Sequence, residues 1–366
     1  MNKNNMSFTK EHTQIAKGIA ILFMVYHHLF VIPERLNNGY INLLDINGVN
    51  FQSIIANFCK ICVCIYIFLS GYGFFLSLKN TNSILQMYKK VVIHALKFTS
   101  NYWIIVLIEL LVGTIIGKIK INLEIVINAI FGIVDGVAEF WFIQAYIVML
   151  LIAPILVILL SKKQIITKIL TILLLVIIYL IVRVLLKYDY IDDSGIFASY
   201  FWQIENLPIV ATFFMGMLCS KFDIYKKVFN NRAVSNHIVL FSVLCLIFVV
   251  IFRMIFCNSP TSMKFDFLLA PVFVFAFTTL VCNNKLSKIM RFFGKHSTNV
   301  WLTHTFWCYY YFQNIVLLPK VSLLIFIWLI ILSLFTSYII NILYIPLYNR
   351  VFSKRRNFSY QGYFAL

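Results

Sequence analysis

The sequence predicts an all-α membrane protein, a helical bundle of about ten transmembrane helices with both termini in the cytoplasm. Its 366 residues are 61% hydrophobic and only 12% charged, with a mean hydropathy of +0.89. Apolar runs of about 20 residues, long enough to cross the hydrocarbon core of a bilayer, recur along the chain. Lysines and arginines concentrate in alternate loops between these runs, as the positive-inside rule requires.

The apolar runs predict ten spans in chain order. We place these spans at about residues 15–32, 54–78, 91–116, 140–160, 168–186, 205–220, 237–256, 265–282, 298–318 and 322–347. The segment 121–134 is apolar but short and carries Glu124 and Asn128, so we expect it to be interfacial or re-entrant. One membrane domain then covers residues 1–356, followed by a short tail at residues 357–366.

The charges predict the orientation of the spans. With the N-terminus inside, the loops rich in lysine and arginine fall in the cytoplasm, and most acidic residues fall outside. The formal net charge of +18 comes from 31 lysines and arginines against 13 acidic residues. Membrane topology explains this excess, so we expect no nucleic-acid partner.

The eight cysteines are interpreted as small residues of the apolar core. Cys59, Cys62 and Cys64 are closely spaced, but no histidine or carboxylate lies near them in sequence to complete a zinc site. We therefore expect no metal and no disulfide framework. The N-terminal run lacks a small-residue cleavage site, so we expect an uncleaved first span.

Ionisable residues inside the first span indicate a functional site, because such residues are costly in lipid. Lys17 and His28 stand roughly 16 Å apart along a helix axis, at 1.5 Å per residue. The predicted orientation places Lys17 at the cytoplasmic end and His27 and His28 towards the outer half. His304 lies near the cytoplasmic start of the predicted ninth span. In the alternative interpretation, Lys17 snorkels to the headgroups and the histidines bond neighbouring helices.

Other polar and small residues inside the spans allow two interpretations. Arg183, Arg253, Glu109 and Lys97 either line a cavity or pair across helices, or else lie at the ends of their spans near the interface. The run Ser70-Gly71-Tyr72-Gly73 either lets helices approach closely or lets the backbone approach a ligand.

Four phrases together resemble acyltransferase family 3, a family of integral-membrane O-acyltransferases of surface glycans. Lys17-Gly-Ile-Ala-Ile-Leu…His28 is similar to the opening helix of that family, in which a cation precedes a histidine by ten intervening residues. The phrases I-F-L-S-G-Y-G around Ser70, F-W-F-I-Q-A-Y at residues 140–146 and S-T-N-V-W-L-T-H-T at residues 297–305 resemble three later family phrases. They follow the family's order and spread over most of the chain.

The resemblance implies transfer of an acyl group, usually acetyl, from acyl-coenzyme A to a sugar hydroxyl of a surface polysaccharide or glycolipid. It implies a multi-pass protein of the cell membrane, in particular a bacterial plasma membrane, with no permanently bound cofactor. His28 corresponds to the catalytic histidine, since His27 is one residue too early for the spacing from Lys17. The other residues that the resemblance brings forward as substrate or support residues are His27, Ser70, Gly71, Tyr72, Trp141 and His304.

The resemblance also implies coenzyme A phosphate contacts from Lys17, Lys89 and Lys90, with Lys97 as a further candidate. The sequence departs from the family at Lys17, where arginine is usual; lysine keeps the charge but loses the planar fork that binds phosphate bidentately. Histidine suits acyl transfer, because an alcohol needs a base to remove its proton. His28 either serves as that base or is itself acylated and relays the group across the membrane.

Two other classes of protein remain as alternatives. A transporter or flippase for lipid-linked glycans would use the intramembrane charges to line its path, but it is expected to show a weak repeat between its halves, and the sequence shows none. A membrane sensor or scaffold without catalysis would explain lysine at position 17. It predicts that changing His28 to alanine has no phenotype.

Overall fold

In a computed structural model, the described part of the chain is almost entirely α-helical. The described residues are 7–36, 39–46, 48–133, 140–161, 169, 200, 206–257 and 262–352. The chain divides into two compact units. We call residues 1–66, 136–138 and 223–365 the terminal unit, and residues 67–135, 139–222 and 366 the central unit.

In chain order, the described helices are α1 (Lys10–Phe30), α2 (Phe51–Cys59), α3 (Ile61–Leu78), α4 (Ile84–Ile115), α5 (Leu123–Ile130), α6 (Trp141–Ser161), α7 (Leu207–Lys221), α8 (Ile224–Asn230), α9 (Arg232–Asn236), α10 (Ile238–Phe256), α11 (Asp266–Val281), α12 (Leu286–Thr305), α13 (Gln313–Val316) and α14 (Ser322–Phe352). A 3-10 helix (Pro33–Leu36) follows α1, and a π-helix (Phe306–Tyr310) continues α12. The short strands β1 (Asp45–Ile46) and β2 (Val49–Asn50) pair antiparallel just before α2.

Two glycines bring α1 and α12 into backbone contact within the terminal unit. A Cβ atom on Gly18 of α1 would lie 2.0 Å from the carbonyl oxygen of Met290. On α12, a Cβ atom on Gly294 would lie 2.1 Å from the carbonyl oxygen of Gln14. Only glycine permits such an approach, because every other residue would place its Cβ on the neighbouring backbone. Glycine at these two positions therefore permits the close packing of α1 against α12.

The contacts along this pair show that α1 and α12 run parallel. Near their N-terminal ends, Glu11 of α1 forms an ion pair with Arg291 of α12, with 3.1 Å between Oε1 and Nη1. Near their C-terminal ends, the ring centroids of His28 and His304 are 5.0 Å apart. The parallel arrangement therefore places the C-terminal ends of both helices at the same end of the terminal unit.

A break at Lys60 divides the predicted second span into two helices, α2 and α3. The backbone N–H of Lys60 donates to the carbonyl oxygen of Asn57 at 3.2 Å, three residues back rather than the four of a regular α-helix. The carbonyl oxygen of Ala56, which Lys60 would bond in a continuous helix, accepts a hydrogen bond from His27 of α1 instead. The end of α2 is thus fixed by a side chain of α1.

The central unit repeats the glycine contact between two other helices. A Cβ on Gly71 of α3 would lie 2.0 Å from the carbonyl oxygen of Phe213, and one on Gly216 of α7 would lie 2.2 Å from that of Phe68. These reciprocal contacts bring the backbones of α3 and α7 together. The arrangement supports the close-packing interpretation of the Ser70-Gly71-Tyr72-Gly73 run.

Five described segments are long and apolar enough to cross a membrane: Phe51–Leu78, Ile84–Ile115, Trp141–Leu160, Ile238–Phe256 and Ser322–Phe352. Two shorter apolar helices, Pro208–Lys221 and Asp266–Val281, lie at the sixth and eighth predicted spans. The all-α membrane architecture is thereby supported, while the count of ten spans, the cytoplasmic termini and the single domain stay predictions. Apart from residue 169, the predicted fifth span lies outside the described residues, as does Arg183.

The predicted ninth span, residues 298–318, has the wrong bounds. Helix α12 begins at Leu286, twelve residues earlier, and the helical path ends at the π-helix by Tyr310. The sequence suggested a loop there because Lys288, Arg291 and Lys295 interrupt the apolar pattern. These residues instead belong to the first turns of an amphipathic helix packed on α1.

Candidate active site

The two adjacent histidines near the end of α1 have different surroundings. His27 is buried, with 5% of its surface exposed, and its Nδ1 hydrogen bonds to the carbonyl oxygen of Ala56 at 2.8 Å. A carbonyl oxygen only accepts, so Nδ1 of His27 carries the proton. His28 is half-buried, and among the described residues neither of its ring nitrogens has a hydrogen-bond partner. Of the two, His28 is the residue whose ring remains available to a substrate.

His304 faces His28 from the last turn of α12. The two ring centroids lie 5.0 Å apart, and the ring planes are inclined by 72°. His304 is 1% exposed, and its Nδ1 donates to the carbonyl oxygens of Trp301 at 2.8 Å and Val300 at 3.1 Å. The other nitrogen, Nε2, is buried, has no hydrogen-bond partner in the described part of the chain and, in this tautomer, is an acceptor.

The π-helix that follows α12 supplies a third side chain to this end of the terminal unit. Tyr309 donates its hydroxyl hydrogen to the backbone carbonyl oxygen of His28, and its ring centroid is 6.0 Å from that of His28. The guanidinium carbon of Arg35 lies 5.1 Å from the centroid of the Tyr309 ring, a cation–π contact. Tyr309 thus holds the backbone of His28, and π-helical turns of this kind occur frequently at functional sites.

Two cations belong to segments that contact the residues around His28. Arg35, just beyond the end of α1, has its guanidinium 5.1 Å from the centroid of the Tyr309 ring, and Lys60 follows the end of α2 that His27 bonds at Ala56. Such cations favour an anion that develops near them, such as an oxyanion or a thiolate. The arrangement can therefore support a reaction in which a proton leaves a neutral group and negative charge builds up on it.

Lys17 is buried inside the terminal unit. It lies eleven residues before His28 on α1, which corresponds to about 16 Å along the helix axis. Only 1% of its surface is exposed, and its backbone carbonyl oxygen accepts a hydrogen bond from the hydroxyl of Tyr66 at 3.2 Å. A snorkelling lysine would extend an exposed ammonium from the bundle. The burial of Lys17 favours a role inside the helix bundle.

The other predicted phosphate-binding lysines lie in the central unit, on α4. Lys89 and Lys90 are both exposed. Lys90 donates from Nζ to the hydroxyl of Thr81 at 2.7 Å and to the carbonyl oxygen of Ser77 at 3.1 Å. Lys90 thus caps the C-terminal end of α3, and its binding of coenzyme A stays a prediction, as does that of Lys89.

The central unit also contains the remaining predicted support residues. Ser70 and Gly71 lie on α3 with Tyr72, and Trp141 is the first residue of α6. Ser70 is buried and Tyr72 is partly exposed. The contact of Gly71 with Phe213 explains glycine at position 71 by helix packing. The part that these four residues play in substrate binding stays a prediction.

The position expected for His304 is wrong. The sequence placed it near the cytoplasmic start of the ninth span, away from the outer half of the first span. In the structure His304 is at the C-terminal end of α12, beside His28. The error follows directly from the missed first half of α12, since starting that helix at Leu286 moves His304 to its far end.

Three residues of this site were missed by the sequence analysis. Tyr309 belongs to the run Tyr309-Tyr310-Tyr311, in which the sequence does not distinguish one tyrosine from another. Arg35 and Lys60 were not singled out: Arg35 lies just beyond the predicted first span, and Lys60 lies inside the predicted second span. The signal that could have found Lys60 is its position as an ionisable residue inside an apolar span.

A family model described as acyltransferase domain matches residues 14–342 of the chain. The match includes both α1, with Lys17 and His28, and α12, with His304. No curated protein and no solved structure matches the chain.

Proposed function

The chain belongs to acyltransferase family 3, and from this premise we propose that it transfers an acetyl group from acetyl-coenzyme A to a sugar hydroxyl. The acceptor is a polysaccharide or glycolipid of the cell surface, and the protein resides in the cell membrane. The observation that carries the proposal is the half-buried His28 ring, which lies beside the ring of His304, whose Nε2 has no hydrogen-bond partner among the described residues.

His28 acts as the base in the direct form of this reaction. A ring nitrogen of His28 takes the proton of the sugar hydroxyl while the hydroxyl oxygen attacks the thioester carbonyl carbon. The resulting tetrahedral intermediate carries an oxyanion, for which Lys60 and Arg35 are the candidate stabilising cations. When the intermediate collapses, the carbon–sulfur bond breaks, and the coenzyme A thiolate takes the proton from the His28 imidazolium. The products are the sugar ester and free coenzyme A.

His304 positions His28 for this step. Because Nδ1 of His304 donates to its own helix, Nε2 can only accept a hydrogen bond. An N–H of His28 is the donor in this proposal, and the two ring centroids lie 5.0 Å apart. That bond would fix the His28 tautomer, so the opposite nitrogen would present its lone pair to the acceptor. Catalytic hydrogen bonds often tighten only when substrate is bound.

The lysines bind the donor in this proposal. Coenzyme A carries phosphates, and ammonium groups form charge-assisted hydrogen bonds with phosphate oxygens. Lys17, inside the helix bundle, and the exposed pair Lys89 and Lys90 are the candidates. Lysine at position 17 acts as a point charge, so we expect one phosphate oxygen to be bound there rather than two.

A covalent form of the reaction fits the same residues. In that form, a ring nitrogen of His28 attacks the thioester, coenzyme A leaves, and the sugar hydroxyl then attacks the acyl-imidazole. Incubating native membranes with radiolabelled acetyl-coenzyme A, with and without competing acceptor, distinguishes the two forms. Label on the protein that is lost in the His28→Ala variant indicates the covalent form, while unlabelled protein with labelled glycan indicates direct transfer.

The acyl-ester content of the host's surface glycans tests the proposal. We would measure it by NMR in a deletion strain complemented with wild-type, His28→Ala or His27→Ala protein at matched membrane levels. We expect wild-type and His27→Ala protein to restore the ester and His28→Ala protein to leave it absent. His27→Ala is the matched control, because it removes the neighbouring ring from the same turn of α1.

The other outcomes each correct a different part of the proposal. Full restoration by His28→Ala protein means that His28 is not catalytic. An unchanged ester content in the deletion strain, together with reduced glycan export, means that the protein is a transporter rather than an acyltransferase.

A further inference from the structure

A buried ion pair joins α10 to α11 in the terminal unit. Arg253 is 1% exposed and Asp266 is 0% exposed. Nε of Arg253 lies 2.9 Å from Oδ1 of Asp266, and Nη2 lies 3.0 Å from Oδ2, so the contact is bidentate. The predicted role of Arg253 as a cross-helix partner is thereby supported. Stability alone is a weak reason for such a pair, because apolar residues of similar size often stabilise a buried site equally well.

Arg253 also reaches the break between α2 and α3. Its Nη1 donates to the carbonyl oxygen of Asn57 at 2.5 Å, and its Nη2 donates to the carbonyl oxygen of Ser262 at 3.2 Å. Asn57 is in the last turn of α2, where carbonyl groups lack regular helical partners. Besides its contact with Asp266, the Arg253 guanidinium therefore donates to a carbonyl group at the end of α2, a third helix.

The neighbouring carbonyl at this end of α2 is held by His27. The Nδ1 of His27 donates to Ala56, and the Nη1 of Arg253 donates to Asn57, the next residue. Two side chains from different helices thus hold two consecutive carbonyl groups. The His27 side chain belongs to α1 and lies one residue before His28. The Arg253 side chain is held by Asp266.

We propose that Arg253 and Asp266 are positioning residues for His28, acting through the end of α2 and the His27 side chain. This inference rests on the proposed function, since it concerns the rate of the acyl transfer. Asp266 orients the guanidinium, the guanidinium fixes the Asn57 carbonyl, and the end of α2 fixes His27 and hence the turn of α1 that carries His28. A base displaced by about 1 Å can lose about a hundredfold in rate.

The geometry of arginine explains why this role requires residue 253 to be arginine. The planar guanidinium presents several donors in fixed directions, so it can hold two carboxylate oxygens and a carbonyl oxygen at once. Lysine presents a single ammonium group and cannot reproduce the bidentate contact. We therefore expect Arg253→Lys to resemble the loss of the pair rather than to preserve it.

The double variant Arg253→Met/Asp266→Leu tests the proposal. Apolar residues of similar size should keep the helices packed, since replacing a buried ion pair in this way is often neutral or stabilising. The readout is the initial rate of labelled acetyl transfer in native membranes at varied acetyl-coenzyme A and matched protein levels. We expect kcat to fall about fivefold, as for the loss of one hydrogen bond in the path to His28, with the KM for acetyl-coenzyme A unchanged within about twofold.

A matched control removes a different arginine–carboxylate pair from the same unit. Glu11→Gln/Arg291→Gln breaks the partly exposed ion pair at the other end of α1 and α12. Such pairs contribute little, about 0–1 kcal/mol, so we expect kcat to stay within about twofold of the wild-type value. A double variant Arg253→Met/Asp266→Leu that matches this control in kcat would overturn the proposal.

A double-mutant cycle with His27 keeps the test informative if the apolar variant accumulates poorly. His27→Ala and Asp266→Asn should each lower kcat, and the combination should lower it by less than the product of the two effects, because both act on the end of α2. Multiplicative effects would contradict the proposed path. If wild-type protein transfers no acetyl group, the proposed function itself fails, and that result is distinct from any difference among variants.

Discussion

Two helix pairs in this protein pack closely through glycines but differ in the ionisable side chains that they contain. In the terminal unit α1 and α12 meet through Gly18 and Gly294, and in the central unit α3 and α7 meet through Gly71 and Gly216. Each glycine lies directly on the backbone of its partner helix. Only the first pair carries a buried cation and two facing histidines, which are Lys17, His28 and His304.

The difference shows what a small-residue motif can indicate. Glycine permits the close approach of two helices in both units, so its presence predicts packing whether or not a site is nearby. Ionisable side chains in apolar helices cost free energy, so their presence indicates a specific role. The histidines and the lysine of α1, rather than the glycines of α3, therefore locate the candidate active site.

Apart from the loss of His28 itself, the substitution Gly18→Ala should have the largest effect on activity. The new Cβ would lie 2.0 Å from the Met290 carbonyl oxygen, so α1 must move away from α12. We expect acetyl transfer in native membranes to fall about a hundredfold, since the base moves relative to its partners, and stability to fall by about 1–3 kcal/mol. Rates at matched protein levels and thermal unfolding in detergent measure the two effects.

Gly71→Ala and Gly73→Ala are the comparison variants for Gly18→Ala. A Cβ on Gly71 would lie 2.0 Å from the Phe213 carbonyl oxygen, whereas a Cβ on Gly73 meets nothing within 4 Å. Gly71→Ala should lower the thermal unfolding temperature, and Gly73→Ala should leave it unchanged. Equal unfolding temperatures for all three variants would contradict the account of the two helix pairs.

The substitution His304→Ala should have the next largest effect. It removes the Nε2 acceptor that fixes the His28 tautomer, so we expect kcat to fall about 10- to 100-fold, as for a charge-assisted hydrogen bond. His304→Gln keeps an acceptor oxygen on the same helix face and should recover part of the rate. Identical rates for the two variants would mean that His304 acts only through packing.

Removing the buried charge with Lys17→Gln should affect donor binding more than catalysis. Loss of one charge-assisted contact to phosphate should raise the KM for acetyl-coenzyme A about tenfold while kcat changes little. Lys17→Arg, which restores the residue usual in the family, should keep the wild-type KM or lower it. A change confined to kcat would place Lys17 in the catalytic step instead.

The substitution His27→Ala should have the smallest effect of the series. It removes the hydrogen bond to Ala56 that holds the turn of α1 carrying His28 but keeps the His28 side chain itself, so we expect kcat to fall about fivefold, as for the loss of one hydrogen bond. The same initial-rate assay in native membranes measures it. A loss as large as that of His28→Ala would reverse the assignment of the two histidines.

Much of the helical architecture could be predicted from hydropathy. The bounds of α6 (Trp141–Ser161), α10 (Ile238–Phe256) and α11 (Asp266–Val281) lie within about two residues of the predicted spans, because these helices are apolar on all sides. The first half of α12 could not be predicted in this way, because one of its faces is cationic. An amphipathic helix packed on a neighbour shows no continuous apolar run.

The candidate site could be predicted only in part. The sequence pointed to His28 through its distance from Lys17 and the family resemblance, and it pointed to His304 as an isolated intramembrane histidine. Their contact joins residues far apart in the chain, and only packing determines it. Asp266 was missed because it lies at the start of an apolar run, where a carboxylate resembles a span-end residue.

The rate of acetyl transfer by the His28→Ala variant tests the central claim most directly. Native membranes that contain equal amounts of wild-type or variant protein would be incubated with radiolabelled acetyl-coenzyme A, and the label in the glycan fraction would be followed with time. A catalytic base contributes about 10²- to 10⁴-fold, so we expect the variant rate to be at least about a hundredfold lower. A variant that transfers label at the wild-type rate would contradict the assignment of His28 as the catalytic residue.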